Sequence, residues 1–130
     1  MILTDTSIWV DFSRRGEKGE AAGMARLLDN GEVSTCGPVA AEVLAGLEGE
    51  TADRMGATLY SLPWVEMDAA LWREVGHVAR RLRRGGRSLP LTDLAIAVAA
   101  ARAEHGLWSF DSDFERIGAM LPELQLYQPS

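Results

Sequence analysis

The chain has 130 residues, 47% of them hydrophobic and 25% charged, with a formal net charge of −6. These are ordinary values for one globular domain, long enough to bury about two-thirds of its unfolded surface. No apolar run approaches the roughly 20 residues that span a bilayer, and MILTDTS has no basic leader region, so a cytoplasmic location is expected.

Ile2–Thr4 is a short apolar run ending at Asp5, which predicts a first strand. Residues 6–14, with Ile8, Trp9 and Phe12, and residues 18–29, with Met24, Leu27 and Leu28, predict two helices; those five apolar side chains are expected to form a groove for a partner helix. Glu32–Cys36 predicts a second strand. The single cysteine, Cys36, cannot form an internal disulfide and reads as a small core residue. Pro38 suits the first turn of a third helix, which runs to Leu47 and carries Glu42. Residues 51–58 predict a fourth helix, and Leu59–Met67 a strand interrupted by Pro63, hence near an edge. Between Asp68 and Arg84 the apolar set Leu71, Val75, Val78, Ala79 and Leu82 has helical period, with arginines opposite. Gly85 and Gly86 stop that helix. Thr92 opens an alanine-rich helix, Leu94–Ala103, apolar on all sides and therefore expected to be buried. Leu107–Phe110 predicts a strand, residues 111–113 a turn, 114–120 a helix and Leu124–Tyr127 a last strand. Strands alternating with helices imply an α/β fold with a mostly parallel sheet covered on both faces.

The acids have positions of interest on that map. Asp5 and Asp111 each follow a strand, the edge where open parallel sheets bind ligands. Asp93 falls in the first turn of the buried helix and Glu42 one turn into another, where the helix dipole tolerates a carboxylate. Each also suits plain capping or solvation. If they converge, their mutual repulsion calls for a cation, and oxygen-only ligands suit Mg²⁺ or Mn²⁺ rather than Zn²⁺. Twelve of the thirteen basic residues are arginine and only Lys18 is lysine. That argues against a Walker-type phosphate loop, a receiver-type phosphoacceptor site and Schiff-base chemistry. A phosphatase with a nucleophilic aspartate is disfavoured too, because position seven is Ser and the supporting lysine is missing.

The strings Leu3-Thr4-Asp5-Thr6-Ser7, Ala41-Glu42-Val43, Thr92-Asp93 followed by Ala95-Ile96-Ala97, and Ser109-Phe110-Asp111-Ser112-Asp113-Phe114 together resemble the PIN-domain nucleases, in order and spacing over nearly the whole chain. The nearest subgroup is the VapC-type toxins of bacterial toxin–antitoxin modules. The resemblance implies one PIN domain over 1–130, an α/β/α sandwich around a central, mostly parallel five-stranded sheet. It implies that Asp5, Glu42, Asp93 and Asp111 are the catalytic, metal-coordinating acids. Thr6 or Ser7 would orient Asp5 or a water, Ser109 would orient Asp111, and Asp113 stands as an unresolved fifth ligand. The implied activity is metal-dependent hydrolysis of RNA phosphodiester bonds. The implied partners are RNA, a second copy of the chain, and a VapB-type antitoxin whose tail blocks the pocket and whose other end binds DNA. A role in RNA processing and a non-catalytic RNA- or protein-binding module are the alternatives.

A net negative charge argues against an extended nucleic-acid surface, but Arg80, Arg81, Arg83, Arg84 and Arg87 crowd into one segment. Of these, Arg83, Arg84 and Arg87 are the expected RNA contacts, against a plain reading as the solvated face of a helix. His77 and His105 are expected on separate helices, without enough neighbours for a zinc site. Trp9, Trp64, Trp72 and Trp108 read as core or interface anchors before base-stacking platforms.

Overall fold

Ile2–Thr4 forms the central strand β1, and everything else is arranged around it in a computed structural model that describes residues 1–129. The elements that follow are α1 (Thr6–Arg15), α2 (Met24–Asp29), β2 (Val33–Ser34), α3 (Gly37–Ala45), α4 (Gly49–Ser61), α5 (Ala69–Arg84), α6 (Leu91–Ala103), β3 (Gly106–Trp108), α7 (Asp113–Met120) and β4 (Gln125–Leu126). The four strands pair in the order β2-β1-β3-β4, all parallel, with Leu3 opposite Ser34 on one side and Leu107 on the other. Leu3, Thr4, Val33, Ser34, Leu107 and Trp108 are buried, as expected of a parallel sheet covered on both faces.

The expected strand over Leu59–Met67 is not there. Helix α4 runs on to Ser61, and the fifth place in the sheet is one parallel bridge between Thr35 and Trp64. The Thr35 N–H donates to Pro63 O at 3.0 Å and the Val65 N–H to Thr35 O at 2.8 Å. Pro63 has no N–H of its own and holds Leu62 extended, so pairing cannot spread backwards along the chain. Leu59, read as strand, is instead the buried residue of α4.

The chain steps from β1 to β2 and on to the Trp64 bridge in one direction, then back to β3 and β4 in the other. Right-handed crossovers put α1 to α4 on one face and α5 to α7 on the opposite one. Within each layer the packing agrees, α1 meeting α3 and α3 meeting α4, while α5, α6 and α7 contact one another; α3 also meets α6, joining the two layers.

Helix α6 is the centre of the second layer. Every residue from Leu94 to Ala101 is buried, and its alanines let the sheet and α5 approach closely. Truncating Ile96, which is fully buried, leaves a cavity that cannot collapse, so Ile96→Ala should cost about 2–5 kcal/mol. Urea denaturation would show this as a lower midpoint at unchanged slope.

The groove expected from Trp9, Phe12, Met24, Leu27 and Leu28 is also absent. Trp9 and Met24 are fully buried, Leu27 is nearly so, and Phe12 and Leu28 pack against the same core. The apolar stripe was correctly read, but it faces inward to cover the sheet.

Candidate active site

Four acids arrive at one end of the sheet by different routes. Asp5 directly follows β1, and its N–H donates to Trp108 O on the neighbouring strand at 2.9 Å. Asp111 follows β3 after two residues, and Asp113 opens α7. Asp93 lies in the first turn of α6. Carboxylate oxygens of Asp93, Asp111 and Asp113 all lie within 4.8 Å of one another.

Asp5 occupies the N-cap position of α1, yet its carboxylate caps no helix N–H. Instead Oδ2 accepts from Ser109 Oγ at 2.7 Å and from Ser7 Oγ at 3.2 Å. Each hydroxyl in turn accepts a backbone N–H from the segment after β3: Ser7 Oγ from Phe110 at 3.1 Å, Ser109 Oγ from Asp111 at 2.9 Å. One carboxylate oxygen thus ties the start of α1 to the end of β3. The turn is closed by the Asp113 N–H donating to Asp111 Oδ1 at 2.9 Å, which brings the two carboxylates together. Glu42 is exposed on α3 and accepts from Thr6 Oγ1 at 2.9 Å.

The electrostatics show how close this convergence is. Asp93 is pushed up to about 6, first by burial and then by the charges of Asp5, Asp111, Glu42 and Asp113. Four neighbouring acids therefore bear on Asp93. Cys36 at the head of α3 is pushed up to about 11, chiefly by burial and further by Asp5 and Glu42, against a backbone hydrogen bond at Val39. It is an inert core thiol. Arg116 Nη1 approaches Asp113 Oδ1 at 3.4 Å; it is the one cation paired with the cluster among the described residues. A knot of carboxylates with so little positive charge fits a hard divalent cation.

A family model described as PIN domain matches residues 2–120. The chain belongs to the PIN-domain family. The VapC ribonuclease Mb1587 of Mycobacterium bovis and Ribonuclease VapC11 of Mycobacterium tuberculosis are each 32% identical to it, over 96% of both chains. The same fold is found in the crystal structure of VapBC2 from Rickettsia felis bound to a promoter DNA fragment, with a TM-score of 0.74 at 22% identity over 98% of each chain.

For this PIN domain the expected set divides in two. Asp93 and Asp111 join the tight cluster, and so does Asp113, the acid that sequence left open. Asp5 and Glu42 stand beside it, tied to Ser7, Ser109 and Thr6. Ser109 orients Asp5 as well as the Asp111 backbone, a double duty not visible in its motif. Arg116 was not anticipated, though its i+3 spacing from Asp113 on α7 was a readable signal. His105 lies just past α6 rather than on a helix, with Nδ1 2.8 Å from the buried Ser34 Oγ. Burial holds its ring below the usual imidazole range.

Proposed function

We propose that this PIN-domain protein is a divalent-metal-dependent endoribonuclease and acts as the toxin of a toxin–antitoxin module. The observation that carries the reading is the meeting of Asp93, Asp111 and Asp113, with Asp5 and Glu42 close enough to raise the Asp93 pKa. Likeness along the whole chain to two VapC ribonucleases supports it. Asp5, Glu42, Asp93 and Asp111 are the proposed catalytic acids, and Asp113 completes the metal ligands. Mg²⁺ or Mn²⁺ bound there would offset charge on the phosphodiester and activate water for its attack. The chain's own residues set the geometry. Ser7 and Ser109 fix Asp5 through Oδ2, leaving Oδ1 without a protein partner among the described residues and free to face a ligand. Thr6 holds Glu42 at the rim. Arg116 pairs with Asp113 at the edge of the cluster.

The partners proposed are an RNA substrate, a VapB-type antitoxin and a second copy of the chain. Tyr60 and Trp64 stack at 5.5 Å, and with Trp72 they form an exposed aromatic surface that suits a protein interface. Among the described residues no helix is long and apolar enough to cross a membrane, and the proposed location is the cytoplasm.

Incubation with total RNA in Mg²⁺ or Mn²⁺ tests the activity. Discrete cleavage products are expected in either metal and none in EDTA. Products that persist in EDTA, or no products in any metal, would overturn the reading.

A further inference from the structure

We propose that the rim of the acidic cluster holds single-stranded RNA through two contacts: the Phe110 ring stacks an unpaired base, and the Arg83–Arg87 cleft takes a backbone phosphate. This rests on the ribonuclease reading above.

Phe110 lies between Ser109 and Asp111 with 42% of its surface exposed. Its N–H is anchored on Ser7 Oγ, and its ring is braced edge-on by Trp108 at a centroid distance of 6.3 Å. Trp108 in turn meets Tyr127 at 5.4 Å. The contact with Trp108 fixes the ring and still leaves much of it open beside the carboxylates. Aromatic faces of this kind stack unpaired bases regardless of sequence.

The second contact lies where α5 turns into α6. Helix α5 ends in a Schellman turn: the Arg87 N–H donates to Leu82 O at 2.9 Å and the Gly86 N–H to Arg83 O at 3.0 Å, with Gly86 at φ 78°. That turn needs a residue without a Cβ penalty, and it brings Arg87 back beside Arg83. With Ser88 they form the polar wall of a cleft of about 170 Å³ whose other wall is apolar and includes Leu89 and Leu91. Leu91, 62% exposed, is two residues from Asp93. The helix dipole favours cations in the last turn of α5, but it does not account for Arg87, which lies beyond the helix. None of the five clustered arginines pairs with a carboxylate among the described residues, whereas Arg15, Arg102 and Arg116 all do. A phosphodiester approaching five acids needs nearby positive charge. Phe110 adjoins Asp111 and the cleft's Leu91 lies a half-turn before Asp93, so an aromatic face and a pair of guanidinium groups each flank an acid of the cluster and match the two halves of a nucleotide.

The test is fluorescence anisotropy of a labelled 12-nucleotide single-stranded RNA with the full chain in EDTA, so that cleavage is not needed. Phe110→Ala should weaken binding about 5- to 150-fold without changing its salt dependence, and Phe110→Trp should restore it. The double variant Arg83→Gln, Arg87→Gln should reduce the slope of log K against log salt by about 0.7, one phosphate contact's worth. Phe110→Ala binding within twofold of wild type, or an unchanged slope in the arginine variant, would overturn the proposal. Polyglutamate is the second probe: if it alone loses affinity in the arginine variant, the cleft serves an acidic protein segment and the proposal fails. RNA that binds as expected but is never cut in Mn²⁺ would instead sink the ribonuclease reading.

Discussion

Asp93→Asn should lower RNA cleavage by about 10²–10⁴-fold and at the same time make the metal-free protein more stable at neutral pH. The two effects share one cause. Asp93 ionises near 3.8 in an unfolded chain and at about 6 in the fold, because burial and the charges of Asp5, Asp111, Glu42 and Asp113 oppose its carboxylate. The folded state therefore binds the proton more tightly. Below about pH 3.8 the group carries no penalty; as pH rises toward 6 the penalty grows, and above 6 it is fully present. Asparagine cannot ionise and removes it. Partial solvent access trims the gain to about 1 kcal/mol, a rise of a few degrees in Tm. Melting curves in EDTA at pH 5 and pH 8 would show wild type losing ground to the variant as pH rises. Adding Mg²⁺ or Mn²⁺ should reverse the order, since only the intact cluster gains stability from binding the ion. A variant that melts below wild type at pH 8 in EDTA would refute this account.

Ser109→Ala should have the next largest effect. Its hydroxyl donates to Asp5 Oδ2 and accepts the Asp111 N–H, so its loss frees one acid to rotate and leaves the N–H beneath another unsatisfied. Groups that orient ligands in this way are worth about 10–100-fold in metal affinity or activity. A drop of that size in kcat/KM is expected, together with a weaker metal-binding isotherm. Ser109→Thr keeps the hydroxyl and should recover most of both. Loss of activity with unaltered metal affinity in Ser109→Ala would argue against the positioning role.

What could be read from sequence followed from the strength of each local signal. Helix α5 was plain because sixteen residues repeat a helical period, and α6 because its alanine-rich apolar run is too long for a strand. The strands are two or three residues long, too short for an alternation to declare itself, and so β1 was legible mainly because Asp5 ends it. Leu59–Met67 misled because Leu62, Val65 and Met67 supply apolar residues while Pro63 limits their pairing to one bridge. Trp9 and Met24 were correctly grouped, but a period cannot say whether a face meets the core or a partner. At the site, the motif spacing located the acids. It could not show that Ser7 and Ser109, 102 residues apart, meet on one oxygen, because that contact exists only once β1 and β3 lie side by side. Asp113 was undecidable for a more local reason: its place depends on its own N–H donating to the Asp111 carboxylate, one of several turns that Asp-Ser-Asp allows.

The shortness of the outer strands has a consequence for the molecule among its neighbours. On one margin β4 offers two residues, and on the other Trp64 offers a single bridge preceded by a proline with no N–H to give. A strand arriving from another molecule would find almost no free ladder to copy, and long unpaired margins are what seed fibrous aggregation. The feature that concealed the fifth strand from a pattern search thus keeps crowded copies of this protein from extending one another's sheets.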